Sequence, residues 1–471
     1  MHYRNFRLVC LIFVLTLFMQ LAACGSDSNN STPTPTSFPV VVFSDVHFNP
    51  YDDPSLFKQL VTADVGQWAA IFKSSTLPAP STFGSDANYP LFALALSSIK
   101  QNLGASPLVI FTGDILVHSF SEQFYQNYSG NKAQTTPRNA ADVAAMQAFA
   151  HKTIAFFMDQ VKASVGSIPV MFTVGNNDSY NDTGPDSTFL ANTAELFYSK
   201  FLTGTVDQQE FLTSYKNGGY YAAELPGTNL LVIGLNTVAF SNYITTNNDA
   251  AVHAELAWFD AKLASAKASG KKVWLLMHVP PGADNYKTAK LADSKGHIDT
   301  TSATMMWKTA YQTGFLQTVA KYPGVITMTL AGHTHLDEYR ILPSSEVVEI
   351  APAISTRNGN DPAFKVLTVA RDTLKTSDYV SLNYDLTAKP VQFTTYYLFS
   401  TSYGLQGLLN DSLTELFPLM RTDRTKQALY RGYYYSGNNA LNPITDTNWP
   451  IYWCGIGNMG QPEFINCVNS F

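Results

Sequence analysis

Seven potential metal-binding residues, two Asp, one Asn and four His, stand just beyond five short apolar runs. The runs and their tips read VVVF-Ser44-Asp45-Val46-His47, LVIFT-Gly113-Asp114, VMFTV-Gly175-Asn176-Asn177-Asp178, VWLLM-His278 and ITMTLA-Gly332-His333-Thr334-His335. Carboxylate oxygen, amide oxygen and neutral imidazole nitrogen are donors that divalent cations accept. Two such cations about 3.5–4 Å apart lower the pKa of a water between them, clamp phosphoryl oxygens and stabilise a leaving oxygen. A phosphoester, anionic and weakly electrophilic, needs that help. Holding two cations so close requires a bridging anion, and Asp114 suits the role. Gly113, Gly175 and Gly332 precede ligands, where a residue without Cβ lets the backbone turn sharply. Asp-x-His and Gly-Asp are common turn sequences, so no single tip is diagnostic. Their joint placement is: five of the nine His (47, 118, 278, 333 and 335) fall within or just after these tips. The set implies a hydrolytic metalloenzyme.

The elements that must position these residues follow from the apolar runs. Runs of four to six β-branched, Leu, Met and Phe residues read as strands buried on both faces. In an open α/β sheet, chemistry collects at the carboxyl ends of the strands. Strands are expected at 39–43, 108–112, 169–174, 272–277 and 325–330, with β pattern continuing at 347–351, 364–370 and 379–399. Helices are expected at 91–102, 140–163, 255–269 and 304–320, and 405–430 reads as more helical than what precedes it. Segments 219–225 and 229–235 read as a hairpin turned at Pro226-Gly227. The stretch 119–139 is polar, with Gly and Asn, and reads as irregular. No internal repeat is present.

At 471 residues and 45% hydrophobic composition, the chain can bury a sizeable core. Its net charge of -6 and the lack of a basic stripe argue against a nucleic-acid surface. No Gly-x-Ser-x-Gly elbow supports a serine hydrolase. At the start, Arg4 and Arg7 precede an apolar stretch at 8–19, too short for a span of about 20 residues and suited to a secretory leader. Leu21-Ala22-Ala23-Cys24-Gly25 resembles the lipobox of bacterial lipoproteins. That resemblance implies removal of 1–23 and acylation of Cys24. The product would be an exported lipoprotein on the periplasmic face of the outer membrane or the cell surface. The Ser-, Asn-, Thr- and Pro-rich segment to residue 37 reads as a solvated tether. Cys454 and Cys467 are the remaining pair once Cys10 and Cys24 are assigned to the leader and the anchor. In an oxidising compartment they are expected to form a disulfide.

Asp45-Val46-His47, Gly113-Asp114, Gly175-Asn176, His278 and Gly332-His333-Thr334-His335 resemble the five ordered motifs of calcineurin-like metallophosphoesterases. Within that superfamily the chain is most similar to acid sphingomyelinase-like phosphodiesterases. The opening Phe43-Ser44-Asp45-Val46-His47-Phe48-Asn49-Pro50, Leu235-Asn236-Thr237, His278-Val279-Pro280-Pro281-Gly282 and the Cys-bearing C-terminal element add to the likeness. The resemblance implies an α/β fold, a four-layer sandwich of two mixed β-sheets flanked by helices, over residues 38–398. A small, mainly helical element would follow at 399–471. It also implies two divalent metals, with zinc the usual ion and manganese or iron compatible. Asp45, His47, Asp114 and His335 would hold one metal; Asp114, Asn176, His278 and His333 would hold the other. The implied substrate is a small-molecule or lipid phosphoester.

His118 matches a His that, in these enzymes, contacts the phosphate or protonates the leaving group. One position departs from the pattern: Asn177 stands where the motif usually has His. Asn177 can donate to a phosphoryl oxygen but cannot act as an acid, which leaves acid catalysis to His118. The Asn-Asn-Asp form resembles fungal endopolyphosphatases of the same subfamily. Phosphoanhydride hydrolysis, of nucleotides or polyphosphate, is therefore an alternative, as is a catalytically weak binding lipoprotein. Asp178 could orient a ligand or serve a turn, and Asn236 could face substrate or brace a loop. His151, His253 and His297 lack a motif context.

Overall fold

Among the described residues, twelve strands fall into two six-stranded sheets. The computed structural model describes residues 36–129, 138–244, 249–438 and 440–471; the leader, Cys24 and most of the tether lie outside these described residues. The strands are β1 (Ser37–Phe43), β2 (Val109–Phe111), β3 (Val170–Phe172), β4 (Tyr221–Glu224), β5 (Leu230–Gly234) and β6 (Lys272–Leu276). They continue with β7 (Ile326–Ala331), β8 (Glu338–Ile341), β9 (Val347–Ile350), β10 (Ala363–Ala370), β11 (Thr376–Asn383) and β12 (Thr394–Leu398). One sheet has the order β12-β11-β10-β1-β2-β3 and the other β4-β5-β6-β7-β9-β8. In each, a parallel core (β1-β2-β3 and β5-β6-β7-β9) is extended by antiparallel strands. This is the two-mixed-sheet α/β fold expected from the sequence.

Register places the tips side by side. Phe43 pairs with Phe111 and Phe111 with Phe172, so three strands of the first sheet end at one level. Gly234, Leu276 and Leu330 line up likewise in the second. The sheets face each other through Phe38 and Trp274, whose ring centroids are 6.5 Å apart. At the end of the first sheet, the Tyr221 hydroxyl donates to Phe172 O (2.9 Å) and accepts from Phe172 N (2.8 Å). One phenol from β4 thus satisfies both polar groups on the open edge of β3, which would be costly to bury unpaired.

Helices close the outer faces. The long helix Ala140–Val165 is capped by the Asn139 side chain, which accepts from Asp142 N, and stops at Gly166 with φ 66°. Its Phe157 packs on Phe92 (5.0 Å) and Phe111 (5.2 Å), and its Phe149 on Trp68 (5.3 Å). Over the second sheet, helices Asp249–Ser269 and Thr309–Ala320 stack Phe259 on Phe315. The layers run helix, sheet, sheet, helix.

Several elements, the helices Ser187–Phe197 and Gln208–Gly218 among them, were not legible in the sequence, and two show why. Residues 119–129 contain a helix, Phe120–Ser129, where composition suggested an irregular stretch. Its Phe124 packs on Phe57 and Phe149, and this packing overrides a weak local propensity. Strand β8, Glu-Tyr-Arg-Ile, is buried despite two charges, because Arg340 Nη1 donates to Glu338 Oε2 at 2.8 Å.

The C-terminal element is helical, as expected, and docks through that same pair. Tyr434 donates to Glu338 (3.0 Å), Asp337 N to Tyr434 O (2.9 Å), and Gln312 Nε2 to Met459 O (2.7 Å). Cys454 and Cys467 form a disulfide. Among the described residues no helix is long and apolar enough to cross a membrane.

Candidate metal centre

The parallel strands deliver their tips to one place, where each chain segment turns through an unusual conformation. Asp45, His47, Asp114, His333 and His335 all have positive φ, between 47° and 74°. For residues with a Cβ this costs on the order of 1 kcal/mol or more each, and such strain gathers at functional sites. Hydrogen bonds across the tips hold it. Asp45 N donates to Gly113 O (3.0 Å), His47 N to Asp114 O (3.1 Å) and Gly332 N to His278 O (3.0 Å). Contacts between the sheets add to these. Ser355 N, after β9, donates to Asp45 O (3.0 Å), and His333 N donates to the Asp45 carboxylate (3.0 and 3.1 Å).

Glycine matters here for approach more than for turning. Of the three tip glycines, only Gly113 has positive φ, at 98°. A Cβ on Gly175 would stand 2.0 Å from Asp114 Oδ1, and one on Gly332 would stand 2.2 Å from Ser44 Oγ. The sharp turn expected at all three positions is therefore found at one; the other two are spaces that ligand side chains occupy.

All seven expected ligands come together. His47 Nε2 lies 3.3 Å from Asp114 Oδ2, 3.8 Å from Asp45 Oδ1 and 3.0 Å from His335 Nε2. On the other side, His278 Nε2 lies 3.2 Å from the same Asp114 Oδ2 and 3.1 Å from Asn176 Oδ1. Asn176 Oδ1 is in turn 2.8 Å from His333 Nδ1. Two four-donor sets share one carboxylate. With bonds of about 2.0–2.1 Å to each ion, donors around a common cation stand at such separations. The rings are oriented from behind: His47 Nδ1 faces Leu116 O (3.1 Å) and His278 Nδ1 faces Thr112 O (2.7 Å). Donation there turns each Nε2 lone pair inward, as metal-bound His requires. Two nitrogens 3.0 Å apart with buried carboxylates beside them form a donor set that fits divalent cations.

Electrostatics points the same way. Burial opposes ionisation of Asp45, yet neighbouring imidazoles, His335 foremost, bring it down to about 2. Asp114 is likewise held well below the usual range, chiefly by His278 and His47 against the penalty of burial. Burial would depress His47 and His278, but Asp114 beside both carries each up to about 9. Burial and the charge on His278 push His333 down to about 4, and burial, with His47 adding, pushes His335 down to about 3.

His118 is a neighbour of this cluster. It stacks on His47 with centroids 4.0 Å apart, and a ring nitrogen lies within 4.8 Å of nitrogens of His47 and His335. Its Nδ1 meets both oxygens of Asp86, at 2.9 and 3.0 Å. Asp86 fixes the ring and fills Nδ1, which leaves Nε2 for a substrate. Nothing in the sequence marks Asp86: it sits in an irregular loop, 32 residues before the His it orients.

Asn177 and Asp178 face inward. Asn177 Nδ2 donates to Asp114 Oδ2 (2.9 Å) and its N–H to Asp114 Oδ1 (2.8 Å). The amide expected at a phosphoryl oxygen is thus turned to the shared carboxylate. Asp178 accepts from the N–H groups of Asp114, Ile115 and Gly175 at 2.8 to 3.1 Å, so it braces the ligand loop. Burial, with the charge of Asp114, raises Asp178 to about 6. Asn236 resolves to a brace as well: its N–H donates to Glu255 and its Nδ2 to Gly218 O.

Fold and site together define a two-metal phosphoesterase architecture. The calcineurin-like phosphoesterase family model matches residues 38–337, and the chain belongs to that family. It is 22% identical over 412 residues to sphingomyelin phosphodiesterase B of Dictyostelium discoideum, covering 82% of this chain and 57% of that protein. Sphingomyelin phosphodiesterase of Bos taurus is 23% identical over 390 residues, covering 78% and 55%. Cyclic GMP-AMP phosphodiesterase of Rattus norvegicus is 22% identical over 430 residues, covering 87% and 88%. The chain therefore spans little more than half the length of the two sphingomyelin phosphodiesterases. The family match ends before β10, yet β10 pairs with β1 in the first sheet, so the sheet runs on beyond it.

Proposed function

We propose that the protein hydrolyses phosphodiesters at a pair of divalent cations, with zinc as the ion. The observation that carries this is Asp114 Oδ2, placed 3.3 and 3.2 Å from the inward nitrogens of His47 and His278. Bound there, the cations would supply an activated water and neutralise charge on the phosphoryl group. The chain's own residues do the rest. Asn177 holds both oxygens of Asp114 in place, and Asp178 fixes the backbone beneath it. His118, its Nδ1 filled by Asp86, would offer Nε2–H to the departing oxygen. The similarity to sphingomyelin and cyclic GMP-AMP phosphodiesterases supports a diester. Acylation of Cys24 would tether the enzyme to a membrane outside the cytoplasm.

The test is direct. Purified protein is assayed for bound metal and for bis-p-nitrophenyl phosphate hydrolysis, before and after chelation and after metal is restored. Metal-dependent, restorable hydrolysis is expected; activity indifferent to chelation would refute the mechanism. Partition into detergent, lost in Cys24→Ala, tests the anchor.

A further inference from the structure

The end of the sheets opposite the candidate metal centre holds an open cleft of about 590 Å³. It lies where β7, β9 and β11 begin and where the helix Leu409–Thr422 starts; β7 carries His333 beyond its other end. Four residues that line the cleft, Thr327, Ser344, Glu346 and Thr376, each have a buried side-chain oxygen without a hydrogen-bond partner among the described residues. Thr327, Glu346 and Thr376 are only 5%, 8% and 6% exposed. Buried polar groups in folded proteins are paired with few exceptions. Four unpaired oxygens from three chain segments around one cleft mark a place that receives hydrogen bonds from elsewhere. The walls are fixed in advance. Ser344 and Glu346 sit on the tight turn between β8 and β9, where Leu342 N donates to Glu346 O (2.9 Å) and Ser345 N to Leu342 O (2.8 Å). Thr327 and Thr376 belong to strands β7 and β11.

The donors and acceptors define the ligand. A carboxylate only accepts, an ammonium only donates, and a hydroxyl does both. Glu346 and Asp411 supply the first kind, Lys375 the second, and the Ser and Thr residues the third. The helix Leu409–Thr422 has no side-chain cap, so the N–H groups of its first turn add donors. Two carboxylates against one lysine and one helix N-terminus leave no strong preference for an ion of either sign. A cation would share the cleft with Lys375 and the helix end, and an anion with Glu346 and Asp411. A neutral molecule whose own groups both donate and accept suits all of them. Ile326 and Leu408 also line the cleft and offer apolar contact to its C–H groups.

We propose that this cleft binds a neutral, hydroxyl-rich ligand, a sugar residue or polyol, through Thr327, Ser344, Glu346 and Thr376. Hydroxyls of the ligand donate to Glu346 Oε2 and exchange hydrogen bonds with the Ser and Thr hydroxyls. The same chemistry comes free in solution or at the end of a glycan chain, and experiment separates the two. The site is independent of the phosphoesterase reading, because none of its residues touches the metal-binding cluster. Changing them therefore leaves phosphodiester hydrolysis as it was.

The experiment measures binding to the full chain by saturation-transfer NMR and calorimetry. The probes are glycerol, glucose, N-acetylglucosamine and chitotriose, with serine and calcium chloride as the zwitterionic and cationic alternatives. Wild type is compared with Glu346→Gln, Thr376→Val and Thr327→Val. At least one sugar or polyol should bind. Its Kd should rise about tenfold or more in Glu346→Gln, the scale of a hydrogen bond to a charged group, and about fivefold in each Thr→Val variant, the scale of a neutral one. Valine keeps the shape of threonine and removes an unpaired hydroxyl, so Tm without ligand should stay at or above that of wild type. Hydrolysis of bis-p-nitrophenyl phosphate should be the same in all four proteins. Chitotriose binding far tighter than N-acetylglucosamine would assign the cleft to a glycan chain, and equal affinity would assign it to a single residue. The proposal is overturned if no sugar or polyol binds, if serine or calcium binds in their place, or if the substitutions move Tm but not Kd. Unchanged Kd and Tm in all three variants would overturn it as well.

Discussion

The two halves of the candidate metal centre share Asp114 but differ in their access to water. On one side Asp45 and His47 are fully buried and His335 is 3% exposed; on the other, Asn176 and His333 are partly open to solvent. The closed half is also the strained one, since Asp45, His47 and His335 all hold positive φ, whereas in the open half only His333 does, the shared Asp114 aside. The difference suggests a division of work. A cation in the closed half would be sealed from water and would hold the strained tips in place, and a cation in the open half would face substrate.

The strongest way to break that division is to remove what the halves share. Asp114→Ala should empty both halves and reduce hydrolysis well beyond the roughly 10–100-fold typical of outer-shell changes. Elemental analysis and bis-p-nitrophenyl phosphate assays check it; a variant that keeps two metals would end the bridging argument. Next comes the contrast itself. His335→Ala should lower thermal stability and leave at most one cation bound. Asn176→Ala should stay close to wild type in Tm, keep the closed-half cation and lose turnover. Equal stability losses would mean that the halves do not differ.

Proton release sharpens the comparison further. In the metal-free protein His47 and His278, one from each half, are raised to about 9, so both hold protons at neutral pH. Metal loading at pH 7 should expel about two protons, and affinity should climb with pH until about 9. The sign for stability is the reverse in metal-free protein. A raised imidazole stabilises fully below its ordinary 6.5, and that contribution is lost as pH rises through about 9. Tm of chelated protein should therefore fall across pH 6.5–9, while loaded protein does not follow. Calorimetry in buffers of different ionisation enthalpy, with parallel melts, reads both.

The smallest expected effect concerns His118, the proposed proton donor beside the closed half. His118→Ala should slow esters with poor leaving groups by about 10²-fold or more, and activated aryl esters far less. Asp86→Asn should give a weaker form of the same pattern, because the ring stays but loses its orienting charge. Equal losses on both ester types would remove His118 from the acid role.

The candidate ligands were readable because each follows a strand buried on both faces, where apolar runs are unbroken and a polar tip stands out. The register that aligns Phe43, Phe111 and Phe172 then does the assembling. Groups that meet the site from irregular loops were not readable. Asp86 and Ser355 have no periodic context, and only the folded chain brings them to His118 and Asp45. Asn177 shows a subtler limit. The sequence places it next to Asn176, but the direction of its amide depends on the Asp114 carboxylate 63 residues away. Strand β8 was hidden for the opposite reason, since Glu338 and Arg340 look solvated until they neutralise each other.

The absence of a side chain at Gly175 has a practical consequence. A Cβ there would land on Asp114 Oδ1, so no side chain can be accommodated without moving the carboxylate that both halves use. A change of one residue, far smaller than loss of a ligand, is therefore enough to displace the carboxylate that both donor sets share.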